Sequence, residues 1–153
     1  MTLPVVSVAP LVDVTTRHFR YVMRLLTKRA HLYTPMLLAR RVAGRKKHEV
    51  MQTMLRFDRA EIVEGRGETW AQLGGDEPRT MIRAALRCEE AGFSGVNVNL
   101  GCPARSAKAG NHGALLMRPK QHAHVASLLR AMGAELAVPL SVKLRVGLEQ
   151  RES

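Results

Sequence analysis

Two asparagines and one lysine stand at the ends of predicted strands, where polar side chains can bind a ligand. Asn97 and Asn99 alternate with apolar residues in VNVNL, so both amides should point to the same face of a strand. Lys143 interrupts the apolar segment PLSVKLRV, where an ammonium group is costly unless it meets an anion or lies at the strand mouth. Two plainer roles stay open: the asparagines could cap the following loop, and the lysine could extend along the sheet edge into solvent.

The two cysteines are predicted to differ in chemistry. Cys102 follows a strand and a glycine in GCP, so a flexible loop should leave its thiol accessible. An accessible thiol can act as a general acid or a nucleophile when nearby cations tune its pKa, although an isolated loop cysteine is more often inert. Cys88 lies on the apolar face of a predicted helix and is interpreted as a packing residue.

Strands alternating with helices are predicted to position these residues. Apolar segments indicate strands at 5–10, 31–38, 69–73, 96–100 and 139–146. Helices are predicted after the capping residues at 13–16, within 39–57, at 77–93 and at 119–132. Pro35 should bend or end the second strand. This alternation predicts an α/β fold with parallel pairing and right-handed crossovers, in a single domain over residues 1–153.

Two of the helices divide into an apolar and a basic face. In the first, the apolar face has Phe19, Val22, Met23 and Leu26, and the other face has Arg17, Arg20, Arg24 and Lys28. The helix at 77–93 has Pro78 near its first turn and Gly92 at its end. Its apolar face has Met81, Ala85 and Cys88, and its solvent face has Arg79, Arg83 and Arg87.

Composition excludes several classes of protein. The chain has 153 residues, of which 46% are hydrophobic, so it can bury a core. No apolar run approaches the length of a membrane helix, and the first residues lack a secretory signal. Two cysteines do not form a disulfide framework, which favours a reducing compartment: the cytoplasm, with an organelle not excluded. The net charge of +11 favours a polyanionic partner such as nucleic acid.

Two further groups of side chains could form binding sites. The basic cluster at 40–47 contains Arg40, Arg41, Arg45, Lys46 and Lys47. An RNA-contacting patch and a solvated helix face are equally compatible with it. His122 and His124 are two apart on a predicted helix, so their side chains diverge and no metal site is expected.

Four segments in order resemble one enzyme family. APLVDVTTRHFRYVMRLLTKRAHLYTPM, AQLGG, VNVNLGCPARSAKAGNHGALLM and VPLSVKLRVGL are similar to segments of the tRNA-dihydrouridine synthases, flavin-dependent enzymes that reduce uridine in tRNA. The DusA-like branch is the most similar through VDVT-x-RHFRY and LYT-x-M. The resemblance implies a (β/α)₈ TIM barrel with FMN at the carboxyl-end mouth, followed by a helical tRNA-binding domain. The complete protein is expected to be monomeric.

The resemblance also assigns cofactor-binding residues. Pro10 and Leu11 should lie against the flavin ring of FMN. Gln72 should hydrogen-bond the isoalloxazine edge, and Lys143 should lie near the pyrimidine end of the flavin. NADPH is the implied reductant.

Substrate and catalytic residues follow from the same motifs. Asn99 should contact the uracil of a flipped uridine, and Cys102 should protonate its C5 after hydride reaches C6. Arg145 belongs to the same strand motif as Lys143 and is assigned to the substrate side. The tRNA should be held mainly through phosphate contacts by lysines and arginines.

The chain departs from the family pattern at several positions. Leu11 replaces a methionine, Pro35 replaces a glutamate, and GNHGALLM replaces a lid segment that usually ends in GACLM. The segment 61–69 is longer than usual and lacks a His-Pro pair. A complete barrel takes about 250 residues. We therefore expect a barrel truncated after about five units, without the carboxyl-terminal half and the helical domain, and with an apolar edge exposed at 139–146.

Two other functions compete with this enzyme as interpretations of the sequence. A catalytically inactive relative that only binds RNA would retain the fold and the basic surface. An FMN-dependent barrel enzyme acting on a small molecule would share the flavin-binding motifs, but NLGCP, VKLRVG and the positive charge favour tRNA.

Overall fold

The computed structural model describes residues 6–56, 61, 67–104, 107 and 111–147 of the chain. Its strands are β1 (Leu32–Tyr33), β2 (Leu37–Leu38), β3 (Thr69–Gly74), β4 (Gly95–Asn99) and β5 (Leu140–Lys143). Its α-helices are α1 (Arg17–Leu26), α2 (Ala39–Gly44), α3 (Lys47–Thr53), α4 (Pro78–Glu90) and α5 (His122–Glu135). Short 3₁₀ turns at Gly113–Met117 and Pro119–Gln121 precede α5. The predicted α/β order is confirmed.

The strands form one parallel sheet in the order β1-β3-β4-β5, with β2 also paired to β3. Pro35 separates β1 from β2, as predicted for the second strand segment. Within the described residues the sheet does not close on itself, since β5 pairs only with β4. The arrangement is an open parallel sheet, which agrees with part of the wall of the barrel that the resemblance implies.

The hydrophobic core lies between the sheet and α2, α4 and α5. Val96 and Val98 of β4 pack there with Met81 and Cys88 of α4 and Met132 of α5, all fully buried. Because side chains alternate across a strand, the polar residues of β3 and β4 point to the opposite face of the sheet. That face is the barrel interior, and it carries the site.

Local sequence signals explain the bounds of α4. The Glu77 side chain caps the helix by accepting hydrogen bonds from the backbone N–H groups of Arg79 and Thr80. Pro78 begins the first turn, where its missing N–H leaves no bond unmade. Gly92 then adopts a φ of 95° just after the helix, a conformation that glycine allows without strain. The predicted helix at 77–93 is thus confirmed with slightly closer bounds.

The burial of α1 is the reverse of what an apolar stripe suggests. Arg20 and Arg24 are 2% and 1% exposed, whereas Val22, Leu25 and Leu26 are exposed. Arg20 Nε lies 2.7 Å from Glu61 Oε2, and Arg24 Nη1 donates to the Ala30 carbonyl at 2.6 Å. These partners hydrogen-bond the buried guanidinium groups, so the basic face can turn inward.

The two ends of the sheet also differ from the sequence prediction. Of the segment 5–10, residues 6–10 are described and contribute one parallel bridge, from Ser7 to His31, with Val6 exposed. The prediction of a buried strand there is wrong for these residues, which lie at an open edge of the sheet. At the other edge β5 ends at Lys143, so Arg145 lies beyond the strand. Leu144 and Val146 are exposed, as expected for an uncovered edge.

Candidate functional site

Register brings the polar residues of three strands into one row. Gln72 of β3 is paired in register with Asn97 of β4, which is paired with Ser141 of β5. Asn99 of β4 is paired in register with Lys143 of β5, two residues nearer the carboxyl ends of these strands. Parallel strands all end at the same edge, so residues far apart in sequence meet at this mouth.

Side-chain amides join this row into a continuous hydrogen-bonded chain. Asn99 Nδ2 donates to Gln72 Oε1 at 3.2 Å, and Gln72 Nε2 donates to Asn97 Oδ1 at 2.7 Å. Asn97 Nδ2 then donates to Ser141 Oγ at 2.9 Å. Gln72, Asn97 and Asn99 are buried, so the two bonds made by the Gln72 amide lie where water cannot replace them, whereas the bond to Ser141 is partly buried.

The backbone after β4 fixes the direction of this chain. Asn99 Oδ1 accepts from the backbone N–H groups of Gly101 and Cys102, both at 3.0 Å. A backbone N–H can only donate, so the Asn99 oxygen must face the turn and its NH₂ must face Gln72. The same logic orients Gln72 and Asn97 and leaves the Ser141 hydroxyl as an acceptor whose own proton remains available.

The loop-capping role left open for the asparagines therefore holds for Asn99, which ties down the turn carrying Cys102. Asn97 instead bonds across to the neighbouring strands. Both side chains contact Gln72 or its partners on one face of the sheet, as their spacing predicts. Lys143 lies exposed at the end of β5, which agrees with a position at the strand mouth.

The Cys102 loop is also held from its other side. The Ala114 backbone N–H donates to the Cys102 carbonyl at 2.9 Å. Gly113 has a φ of 70°, and a Cβ at this position would lie 2.5 Å from the same carbonyl oxygen. Only glycine permits this approach. Two anchors thus hold a half-buried thiol at the mouth.

The two cysteines differ in accessibility as the sequence predicts. Cys88 is fully buried among apolar residues, and burial raises the pKa of its thiol to about 12. A thiol in this environment stays neutral and unreactive at physiological pH. Cys102 is partly exposed and is therefore the more accessible of the two thiols.

A cavity opens at the mouth between the first residues of the chain and the end of the sheet. The residues lining it are Ser7, Ala9, Pro10, Tyr33, Asn97, Ser141, Val142 and Lys143. Among the described residues Lys143 is the one charged side chain in this lining and no carboxylate is present, so the cavity favours a ligand with negative charge. Burial, and secondarily Glu68, raises the pKa of Tyr33, so its phenol remains a neutral hydrogen-bonding group.

The structure brings some of the predicted site residues together and separates others. Pro10 and Lys143 line the cavity. Gln72 and Asn99 are bonded to each other on the same face of the sheet, with Asn97 linking Gln72 to the cavity wall. Leu11 follows Pro10 but is 51% exposed.

The sequence prediction and the cavity lining differ at three residues: Arg145, Ser141 and Tyr33. Arg145 is exposed beyond β5 and is not among the residues that line the cavity. Ser141 and Tyr33 contribute to the lining although the sequence prediction did not select them. Alternation gives a signal for Ser141, because it lies two residues before Lys143 on the same strand.

The histidines of α5 are engaged in structural contacts. His122 Nε2 lies 2.9 Å from the Met117 carbonyl, and His124 Nε2 lies 2.9 Å from the Asp76 carbonyl. Across the described ranges no group of three or more metal-binding side chains comes together. No helix in the same part of the chain has both the length and the apolar character needed to cross a membrane.

The sequence is similar to one family along nearly its whole length. It matches the family model described as dihydrouridine synthase (Dus) over residues 7–153. The tRNA-dihydrouridine(20/20a) synthase of Synechocystis sp. is 37% identical over 147 residues, covering 96% of this chain and 41% of that protein. The Yersinia pestis and Xanthomonas campestris proteins of the same name are 36% and 39% identical, and 39% of each is covered. The chain thus spans about 40% of the length of these curated relatives.

Proposed function

Because the chain belongs to the dihydrouridine synthase family, we propose that it carries the uracil-reducing site of an FMN-dependent tRNA-dihydrouridine synthase. The observation that carries the proposal is the arrangement of side chains at the carboxyl ends of the strands. A cavity that is lined by Lys143, and by no carboxylate from the part of the chain that the structure describes, lies beside a hydrogen-bonded amide chain, and that chain anchors the loop of Cys102. The matched relatives named above are tRNA-dihydrouridine synthases.

The donor set at the mouth fits a flavin. Asn97, Ser141 and Lys143 offer hydrogen-bonding groups and a positive charge, and Pro10 and Ala9 offer a small apolar wall. A flat heteroaromatic ring with polar edges needs this combination. When bound and reduced by NADPH, FMN supplies the hydride that reaches C6 of the uracil.

Two side chains of this protein contribute to the reaction: Cys102 supplies the proton, and Lys143 stabilises negative charge. The Cys102 Sγ–H gives its proton to C5 of the uracil, so the C5=C6 double bond becomes a single bond. The resulting thiolate takes a proton back from water. The Lys143 ammonium lowers the energy of negative charge in the cavity, and its exposure to water keeps this stabilisation modest.

Asn99 has two roles in this reaction: it holds the turn that carries Cys102, and it contacts the uracil. Its oxygen is occupied by the backbone of Gly101 and Cys102, and its NH₂ has one proton beyond the bond to Gln72. That proton is the one it can offer to a uracil oxygen. The flipped base would then meet an amide donor and a thiol that are three residues apart, at the strand end and in the turn that follows it.

The test combines flavin binding with product formation. The purified chain is supplied with FMN, NADPH and an unmodified tRNA transcript, and dihydrouridine is measured by mass spectrometry of the digested RNA. Cys102→Ala should reduce the rate by roughly 10²- to 10⁴-fold, the usual contribution of a general acid, while FMN binding is retained. Cys88→Ala is the matched control and should retain the rate, because this thiol is buried away from the mouth.

Failure of FMN to bind at any concentration would refute the proposal for this chain. An RNA-binding module without catalysis is the second candidate, and the exposed basic residues of α2 and α4 favour it over an enzyme acting on a small molecule. It predicts salt-sensitive tRNA binding without dihydrouridine formation, and no effect of Cys102→Ala on that binding.

A further inference from the structure

Six cations form an exposed surface on the outside of the barrel wall. Those on α2 and the following loop belong to the cluster noted in the sequence, and two more lie on α4. We call this the α2–α4 basic surface; it consists of Arg40, Arg41, Arg45, Lys46, Arg79 and Arg83, all exposed. Among the described residues none of the six is within ion-pair distance of a carboxylate.

The tertiary structure makes one surface out of two separate segments. Arg87 Nη1 donates to the carbonyls of Val42 and Arg45, the latter at 3.0 Å, and so ties the end of α2 to α4. This bond holds the backbone of the loop that carries Arg45 and Lys46. On α4, Arg79, Arg83 and Arg87 recur every four residues, about 6 Å apart along the axis.

The acidic side chains near this surface in sequence are Glu49, Asp76, Glu77, Glu89 and Glu90. Glu77 caps α4, and hydrogen bonds from Thr80 and Arg79 lower the pKa of its carboxyl group. Glu90 forms an ion pair with Lys47, which is why Lys47 is not counted among the six. In the described part of the chain none of these carboxylates is within ion-pair distance of the six cations, so the six positive charges stay available to a polyanion.

The surface continues to the carboxyl-end mouth of the sheet. Arg40 lines a cleft together with Gly74, Gly75 and Asp76, which follow β3 at that end. Because α2 and α4 run back from the strand ends, Arg40 and Arg79 lie at the mouth end of the surface. Arg83 and Arg45 lie further along the outer wall.

We propose that the α2–α4 basic surface binds the sugar-phosphate backbone of the substrate RNA as it leaves the mouth. The inference rests on the proposed function for the identity of the RNA. Spaced arginines and lysines without carboxylate partners match a row of phosphates, and such contacts act without reading sequence. The surface would hold the RNA in register while one uridine enters the cavity.

The test removes two charges from the surface and two from elsewhere. Arg45→Gln/Arg83→Gln takes one cation from each segment and leaves Arg87 in place. Lys28→Gln/Arg29→Gln is the matched control, since both residues are exposed just before β1, at the opposite end of the sheet. Binding of an unmodified tRNA transcript is measured by fluorescence anisotropy between about 50 and 200 mM salt.

The surface variant should bind tRNA roughly tenfold more weakly than the wild type, with a salt slope smaller by about 1.5, while the control stays near the wild-type values. Equal weakening of both variants would overturn the inference, because net charge alone would then explain binding. Tighter binding of the wild type to phosphatidylserine vesicles than to tRNA would also overturn it.

The binding experiment tests the basic surface separately from the proposed enzymatic function. Loss of FMN binding or of dihydrouridine formation in the wild type refutes the enzyme while the anisotropy contrast can still hold. Conversely, an active enzyme in which the surface variant binds tRNA like the wild type refutes the surface alone.

Discussion

Replacing Asn99 with alanine tests whether one side chain organises both the amide chain and the Cys102 turn. Asn99 is 8% exposed and makes three hydrogen bonds, two with backbone N–H groups and one with Gln72. Alanine removes all three and leaves the Gly101 and Cys102 N–H groups without that acceptor. The mutation also removes the constraint that orients Gln72 and Asn97.

The expected loss of stability follows from these bonds. A buried neutral hydrogen bond contributes about 1 kcal/mol net, so three bonds correspond to about 3 kcal/mol. Asn99→Asp retains the acceptor for the turn. The Gln72 and Asn97 amides can then rotate by half a turn, with the Ser141 hydroxyl donating instead of accepting, so Asn99→Asp should cost only about 1 kcal/mol.

Urea unfolding followed by tryptophan fluorescence measures this difference. Trp70 is the single tryptophan and is 7% exposed, so its emission should shift to longer wavelength when the chain unfolds. With a typical slope of about 2 kcal/mol per M, Asn99→Ala should lower the midpoint by about 1.5 M. The alkylation rate of Cys102 should change in the same variant, because its turn loses an anchor.

Gln52→Ala provides the control, since Gln52 is exposed on α3 and a surface change there should alter stability by less than about 0.5 kcal/mol. The reasoning is refuted if Asn99→Ala unfolds with the same midpoint as Gln52→Ala. It is also refuted if Asn99→Asp is as damaging as Asn99→Ala, because the turn would then not depend on the acceptor.

Four further predictions concern the two thiols, a glycine and a buried histidine. Iodoacetamide should label Cys102 and spare Cys88 in the folded chain at pH 8, as checked by peptide mass spectrometry. Stability should be independent of the Cys88 thiol below its unfolded pKa of about 9 and fall as pH rises toward 12, because the unfolded thiol ionises first; Cys88→Ala should flatten that decline in urea titrations. Gly95→Ala should cost about 2 kcal/mol of unfolding free energy, since its Cβ would lie 2.6 Å from the Trp70 ring, and an unchanged midpoint would contradict this close contact. His112→Phe should raise the unfolding free energy by about 1 kcal/mol, because Nδ1 of this buried ring has no hydrogen-bond partner among the described residues; a destabilised variant would show that the imidazole is needed.

Local signals in the sequence determined the elements and the chemistry they carry. The cap at Glu77, the proline after it and the positive-φ Gly92 define α4, and each acts within a few residues. The alternation in VNVNL places Asn97 and Asn99 on one face for the same local reason. The cysteine contrast also follows from sequence, because an apolar helix face and a loop after a glycine give opposite environments.

Tertiary structure decided which faces are buried and which polar groups meet. The sequence pattern of α1 suggested an apolar face turned inward, but Arg20 and Arg24 are buried because groups distant in sequence, Glu61 and the Glu68 carbonyl, supply partners for them. The row of Gln72, Asn97 and Ser141 depends on strand register, which no single segment encodes. The α2–α4 basic surface arises likewise, since Arg87 joins segments about 40 residues apart in sequence. Hydrogen bonds and charges act through space at a few ångströms, so the sequence alone could identify these groups but could not determine which of them lie together.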